Sequence, residues 1–358
     1  MVNGNKGAFM ATVDKAEPVF FHAQQIMFEN LEDLPVSSMS YEVGNSGLTN
    51  AAGIKGGPLL SPEIDEHVFF RGTDLRPVGT EVDETFVRRA GHWLLAADST
   101  DTSQTSGDSA RPWAGPRISV AKQGPLIVVT DATQPGGAAQ LAGTVNTAIS
   151  FDADVLDVPA DDHILVDATT TGSVMKFDNN ESAAAVTFGV DASKDFRSTG
   201  LAGYRIKVNP KDIASLSKDP LLLRHELTHY LMYKYTEVNP KWLTEGLADY
   251  VAFRPYGLPY VYLSDSTYNR LMARPHDLTV SGLFGQDPQT DYPLAMACVT
   301  YLIDHGGMTK LKLLMRTYAS YPFEVFQDTH TRDALQKVYG LGPYQVAQGA
   351  FALLDVLR

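Results

Sequence analysis

Two histidines four positions apart carry the strongest chemical signal in the sequence. The segment 225–229, HELTH, lies in an apolar stretch that begins at residue 221. Positions i and i+4 of an α-helix share one face, so the imidazoles of His225 and His229 can bind one metal ion. Glu226, next to the first histidine, can reach a water at the metal without becoming a ligand itself. Unpaired burial of such groups is costly, and a bound cation would compensate for it.

A second helix supplies the ligand that this pattern lacks. HExxH by itself fixes only three residues and is also consistent with two histidines in a structural role. Asn239-Pro240 predicts the end of the first helix, and a new helix from Trp242 carries Glu245 and Asp249, again four positions apart. In an antiparallel helix pair, Glu245 becomes the third ligand and leaves one position open for water. Asp249 can then accept a hydrogen bond from the far nitrogen of a ligand histidine. The alternative is a pair of exposed carboxylates without a metal.

The two segments resemble the gluzincin zinc peptidases, in the branch called peptidase MA-like. HELTH at 225–229 followed by WLTEGLADY at 242–250 is similar to the pattern of aminopeptidases in this group, which share a W-L-x-E-G-x-A block. The resemblance is strong over 221–305, and the layout is similar to that of actinobacterial members. It implies a zincin-like fold, a Zn²⁺ ion bound by the two histidines and Glu245, and hydrolysis of a peptide or protein substrate with Glu226 as general base.

The resemblance extends to a helix that begins near Asp291-Tyr292-Pro293. In the aminopeptidases, a tyrosine at the matching place donates a hydrogen bond to the oxyanion of the tetrahedral intermediate, which implies this role for Tyr292. The alternative is a tyrosine that only packs. His276 and His305 are further candidates to assist the intermediate, and the loop 254–290 is expected to shape the substrate cleft.

One departure from the family pattern concerns the strand before the zinc helix. The aminopeptidases carry a Gly-x-Met-Glu-Asn motif there, whereas this chain has GLAGYRIKV at 200–208, without a glutamate for a substrate amino terminus. We therefore expect an endopeptidase, whose strand could still bind an extended peptide by edge pairing. Two alternatives stay open. One is a catalytically silent binding or scaffold protein, against which the intact Glu226 argues, and the other is a non-peptidase zinc hydrolase.

A polar segment divides the chain into two predicted domains. Residues 98–112 are rich in Ser, Thr and Asp and nearly free of apolar side chains, so they cannot bury enough surface to order themselves. We predict a linker over 98–115 between an N-terminal module of residues 1–97 and a metallopeptidase domain of residues 116–358. A long hairpin loop is the alternative. Both parts are expected to be α+β.

Hydrophobic periodicity defines the N-terminal module. Apolar residues recur at helical spacing over 18–31, and three strand-like runs follow. The last run leads into a hairpin with Ala90-Gly91 as its turn. One helix and a curved antiparallel sheet are similar to the nuclear-transport-factor-2-like fold. No motif distinguishes an accessory role from a purely structural one. The predicted strands cover 39–43, 67–71 and 81–88.

After the polar segment the pattern changes to a mixed sheet followed by helices, which predicts a second α+β region. Strands are predicted at 126–130, 163–168, 184–190 and 204–208, with a helix at 137–151. Further helices are predicted at 221–235, 242–253, 266–272, 292–305, 309–318, 331–339 and 344–357.

Bulk composition limits the classes of function. The net charge of −13 argues against nucleic-acid binding, because proteins that bind nucleic acids usually carry a basic surface. No apolar run approaches the roughly 20 residues of a membrane helix. No signal peptide is visible, although the resemblance suggests an extracytoplasmic or cell-envelope location. Cys298 is the only cysteine, which excludes an intrachain disulfide and predicts a small buried apolar residue. The oligomeric state has no signal in the sequence.

Overall fold

The described residues form a mixed α/β structure with two sheets. They divide into two compact units, the first comprising residues 1–146 and 162–218 and the second comprising residues 147–161 and 219–358. The structure, a computed structural model, describes residues 4–48, 54, 57–99, 111–171, 184–192, 200–236, 239–256, 263–274, 287–321 and 327–356.

The predicted helices and strands occur in the predicted order. Helices at 6–11 and 213–216 and a strand at 118–123 are additional, and the strands predicted at 39–43 and 67–71 extend over 36–48 and 59–70. The strands are β1 (Val36–Leu48), β2 (Leu59–Phe70), β3 (Val78–Arg89), β4 (His92–Ser99), β5 (Ile118–Gln123), β6 (Leu126–Asp131), β7 (Leu165–Ala168), β8 (Ala185–Asp191) and β9 (Leu201–Val208). The helices are α1 (Lys6–Ala11), α2 (Pro18–Asp33), α3 (Gly137–Leu156), α4 (Ile213–Leu216), α5 (Leu221–Thr236), α6 (Lys241–Phe253), α7 (Asp265–Met272), α8 (Pro288–Ala319), α9 (Gln327–Tyr339) and α10 (Pro343–Val356).

The first sheet is antiparallel, with β1 to β4 in sequence order. Alternate residues along β2 are buried, as the two-residue period of a strand with one covered face requires. The β3–β4 hairpin turns at Ala90 and Gly91, whose φ angles of 47° and 87° are those of a tight primed turn. Met27 and Leu31 of α2 belong to the same core as Val68 of β2. The predicted helix and the antiparallel sheet are confirmed, and α1 is a helix that the sequence analysis does not predict.

The second sheet is mixed, with the strand order β5-β6-β7-β9-β8. β6, β7 and β9 are parallel, and β5 and β8 pair antiparallel at the two edges. All six residues of β6 are buried, which explains why its apolar run is continuous rather than alternating. The sequence does not predict β5, because Ile118 is its only buried residue.

The two sheets share one hydrophobic core within the first unit. Met27 and Phe70, which belong to the N-terminal module, lie in the same cluster as Trp113 and Ile127, which follow the polar segment. The buried amide of Asn30 donates to the carbonyl of Trp113 at 3.1 Å and of Pro116 at 2.9 Å. The boundaries of the two compact units therefore differ from those of the predicted segments 1–97, 98–115 and 116–358.

The two ends of the polar segment are joined by a buried ion pair. Nη1 of Arg111 lies 3.1 Å from Oδ2 of Asp98, and Nη2 lies 2.8 Å from Oε2 of Glu66. This contact favours the hairpin-loop alternative at its ends. Residues 100–110 lie outside the described part, so the linker and its boundary stay a prediction.

Mild proteolysis tests the boundary. We expect the first cut within 100–110, because a polar stretch without apolar side chains is cleaved preferentially. The two fragments should remain together on size-exclusion chromatography under native conditions, because the shared core and the Asn30 hydrogen bonds hold them. Separation of a folded fragment that begins near residue 116 would instead establish an independent linker.

The second unit is helical, and its core forms mainly between α6, α8, α9 and α10. Leu247 of α6 and Val299 of α8 are among its fully buried residues. The predicted helices at 292–305 and 309–318 are confirmed as two helical segments of α8, which a break at Gly307 with a φ of 71° separates. Cys298 is buried, and burial raises the pKa of its thiol, which confirms the predicted apolar role. Across the described part of the chain, none of the helices is long and apolar enough to cross a membrane.

Candidate metal centre

α5 presents the two histidines on one face because its other face is held in the core. Leu223 and Leu227 are fully buried, and Met232 continues the same contact into the core of the second unit. The side chains of His225 and His229 are partly buried, so a small ligand can reach them from one side. The i, i+4 spacing therefore produces the predicted convergence of the two imidazoles.

α6 begins directly after Pro240, as the sequence predicts, and packs closely against α8. A Cβ atom added to Gly246 would lie 2.3 Å from the carbonyl oxygen of Ala295 in α8. Such a contact cannot be relieved by a side-chain rotation, because the opposing atom belongs to the backbone. The glycine therefore lets α6 approach α8 closely enough to place its neighbour Glu245 at the metal site.

Replacing Gly246 by alanine tests this helix contact. Gly246→Ala should lower the free energy of unfolding by about 3 kcal/mol, at the upper end of overpacking effects, because the α8 backbone must move. Denaturant unfolding measures the change. Gly143→Ala is the matched control, since an added Cβ there meets nothing within 4 Å and alanine favours the interior of α3. That control should stabilise the chain by about 0.5–1 kcal/mol. An equal effect of the two changes would contradict the close contact.

The three predicted ligand atoms form a nearly regular triangle. Nε2 of His225 lies 3.1 Å from Nε2 of His229 and 3.2 Å from Oε2 of Glu245. The third edge, from His229 Nε2 to Glu245 Oε2, is 3.3 Å. Tetrahedral ligands at typical zinc distances are separated by about 3.3 Å, so these residues can hold a zinc ion. Among the described residues, no other group of three His, Cys, Asp or Glu side chains is gathered in this way.

Asp249 contacts the opposite nitrogen of the first histidine. Its Oδ1 lies 2.8 Å from Nδ1 of His225. A carboxylate only accepts hydrogen bonds, so Nδ1 donates, and in the neutral imidazole that a metal requires, the lone pair of Nε2 is directed toward the triangle. The structure thus brings Asp249 to the position that the sequence predicts for it.

Removal of this hydrogen bond should weaken the metal site without abolishing it. Asp249→Ala is expected to lower zinc affinity by about 10–100-fold, because the His225 ring loses the partner that orients it. Competition with a coloured chelator measures the change. Asp333→Ala on α9 is a control, since it removes an exposed carboxylate from the same unit. An unchanged affinity in Asp249→Ala would leave Asp249 with a packing role only.

Hydrogen bonds within the site shift the pKa values of His225 and Glu245 in opposite directions. Burial alone would lower the pKa of His225, but its hydrogen bonds with Asp249 and Glu245 outweigh burial and raise the pKa well above its ordinary value. Burial alone would raise the pKa of Glu245, but its contacts with both histidines hold the pKa far below the usual range. Zinc binds imidazole nitrogens and carboxylate oxygens in their unprotonated forms, so metal affinity should fall as the pH falls.

The remaining predicted residues differ in how the structure places them. Glu226 is buried and close enough to His225 to affect its charge. The ring centroid of Tyr292 lies 6.1 Å from that of His225, so α8 brings this tyrosine next to α5. His305 is exposed, and its Nδ1 lies 2.7 Å from the carbonyl oxygen of Tyr301 on its own helix. His276 lies outside the described residues.

Two residues that the sequence analysis does not identify are Asp152 of α3 and Arg224 of α5 itself. Asp152 of α3 is fully buried, and neither of its carboxylate oxygens has a hydrogen-bond partner among the described residues. Burial raises its pKa to about 8, although Arg224 is nearby. The guanidinium of Arg224, the residue before His225, lies 4.5 Å above the ring of Phe151. Such pairs join distant parts of the chain and leave no local pattern.

Comparisons with known proteins identify no relative, since no protein-family model and no curated protein matches the chain. The function is therefore argued from the geometry of the site.

Proposed function

We propose that the chain is a zinc-dependent peptidase, of the endopeptidase kind. His225, His229 and Glu245 are the metal ligands, and Glu226 is the general base. The observation that carries the proposal is the triangle of two imidazole nitrogens and one carboxylate oxygen with edges of 3.1–3.3 Å. Catalytic zinc sites use two histidines and a glutamate as ligands and keep a fourth position open. Structural zinc sites instead have four protein ligands.

The chain supplies the groups that peptide hydrolysis requires around such a site. A zinc ion bound there would polarise a peptide carbonyl and bring the pKa of a coordinated water to about 7. Glu226 takes the proton of the attacking water and returns it to the leaving amine. Tyr292 donates a hydrogen bond to the oxyanion that develops on the carbonyl oxygen. Asp249 fixes the ring of His225 while these charges change.

The burial of Glu226 favours catalysis over a scaffold role. A metal site that only holds helices together needs no acid beside its ligands, and burying one is costly. The absence of a glutamate on β9 favours an endopeptidase over an aminopeptidase, because nothing in 200–208 can bind a substrate amino terminus as a carboxylate would.

Finer assignments of fold and location belong to the same proposal. A mixed sheet followed by the α5–α6 pair supports a zincin-like fold for residues 116–358. The position of α2 on an antiparallel sheet supports a nuclear-transport-factor-2-like fold for the N-terminal module. An extracytoplasmic or cell-envelope location rests on the resemblance to gluzincins alone.

Digestion of casein and of a mixed peptide library by the purified chain tests the proposal. We expect cleavage at internal bonds that stops when a chelator is added and returns with zinc. Elemental analysis should find about one zinc per chain. If the chain releases only the amino-terminal residues of its peptide substrates, it is an aminopeptidase. Zinc binding without cleavage of any peptide would favour the scaffold alternative, unless another hydrolysable substrate is turned over.

A further inference from the structure

A buried ion pair lies immediately before Tyr292 in the chain. Asp291 is 1% exposed, and one of its oxygens accepts a hydrogen bond from Nη1 of Arg274. The same Nη1 donates to the hydroxyl of Thr290 at 2.7 Å. The other carboxylate oxygen accepts from the backbone N–H of Asp287 at 3.1 Å. Asp291 therefore connects to two different parts of the chain through its two oxygens.

These contacts fix the first turn of α8. The side chain of Asp287, at the N-cap, makes no capping hydrogen bond, so the carboxylate of Asp291 instead satisfies a backbone N–H at the start of the helix. Arg274 follows α7, where its own N–H donates to the carbonyl of Leu271 at 3.0 Å. Leu271 is fully buried in the core of the second unit, which holds this end of α7 firmly.

We propose that Arg274 is a positioning residue for Tyr292. Its ion pair with Asp291 ties the end of α7 to the first turn of α8 and so holds the next residue, Tyr292, beside His225. This inference rests on the proposed function, because the orientation of the phenol has a consequence only if it meets an oxyanion. Without Arg274, the buried carboxylate of Asp291 would lose a counterion, and the first turn would shift. A displacement of about 1 Å is enough to lower a rate by up to about 10²-fold.

Hydrogen exchange measured on the metal-depleted chain tests the effect of the Arg274–Asp291 ion pair on α8 independently of activity. Arg274→Met should raise the exchange rates of the amides of Asp287, Thr290 and Asp291 by at least about tenfold, while peptides from α5 and α10 stay unchanged. Arg270→Met is the matched control. Nη1 of Arg270 lies 3.0 Å from Oδ2 of Asp287, and this pair joins the same two segments, but its side chains are 50% and 33% exposed.

The control variant should leave exchange unchanged, because an exposed pair contributes little. If Arg274→Met does not fold, Arg274→Lys is tested instead, since lysine keeps the charge but places it on a flexible stem with a different reach. It should give a smaller rise at the same amides. Unchanged exchange in the folded Arg274 variants would overturn the proposal.

Kinetics separate positioning from simple stabilisation. With zinc bound, Arg274→Met should lower kcat by roughly 10- to 100-fold with KM unchanged, because the oxyanion contact exists only in the transition state. Tyr292→Phe should lower kcat by roughly 10²-fold, and the double variant should be no slower than Tyr292→Phe. Losses that multiply in the double variant would overturn the positioning role. A wild-type chain that binds zinc and cleaves nothing overturns the proposed function and this role with it, whereas the exchange result still decides whether the ion pair orders α8.

Discussion

Glu226→Gln is expected to lower kcat by about 10³-fold while zinc content stays unchanged, because positioned proton transfer contributes on this scale. Glutamine has the shape of glutamate but cannot accept the proton of the attacking water. The side chain lies outside the ligand triangle, so the metal should remain bound. Peptide-cleavage kinetics together with elemental analysis of the same preparation measure both quantities.

A control on the same helix separates chemistry from helix damage. Thr228 is buried, and its hydroxyl has no hydrogen-bond partner among the described residues. Thr228→Val keeps the shape of the side chain and removes only this hydroxyl, so it should retain full activity. Near wild-type turnover in Glu226→Gln would refute the assigned base. A parallel loss in Thr228→Val would show that α5 tolerates no change at all.

His229→Ala should abolish stable zinc binding and, with it, peptide cleavage. Zinc sites with four protein ligands bind with an apparent free energy of about 10–16 kcal/mol, or about 2.5–4 kcal/mol per ligand, so losing one ligand lowers affinity by roughly 10²–10³-fold. The loss should be larger than in Asp249→Ala, which keeps all three ligands. A chelator titration at constant pH compares the two variants directly.

His305→Ala is the control for the metal prediction, because it removes an exposed histidine from the same unit. It should bind zinc as the wild type does. Full zinc content in both His229→Ala and His225→Ala would contradict the triangle as a metal site. The two histidines would then have the structural role that the sequence alone leaves open.

The convergence of the candidate metal ligands could be predicted from the sequence because these residues lie on two consecutive helices. The i, i+4 spacing of His225 and His229 fixes their common face, and Pro240 marks the turn that brings Glu245 back to them. The ends of most elements follow from the same kind of local pattern. β6 is an example, since its apolar run of a few residues is typical of a fully buried parallel strand.

The rest depends on contacts between residues far apart in the sequence. Arg111 with Glu66, Asp152 with Arg224, and Arg274 with Asp291 each join different elements, so no periodicity marks them. The role of Gly246 is hidden for a similar reason, because its neighbour is a carbonyl on another helix. The shared core of the two sheets also escaped prediction, since a polar segment in the sequence does not reveal what packs on either side of it.

The close packing of α6 against α8 at Gly246 affects how the candidate ligands are held. The carbonyl oxygen of Ala295 lies where a side chain at position 246 would be, so α6 and α8 pack backbone to backbone and hold Glu245 and Tyr292 on closely packed helices. α5 packs mainly on α6 and less on α8. A metal ion bound by His225, His229 and Glu245 would therefore be a further link between α5 and this helix pair, so removal of the metal should lower the melting temperature of the chain.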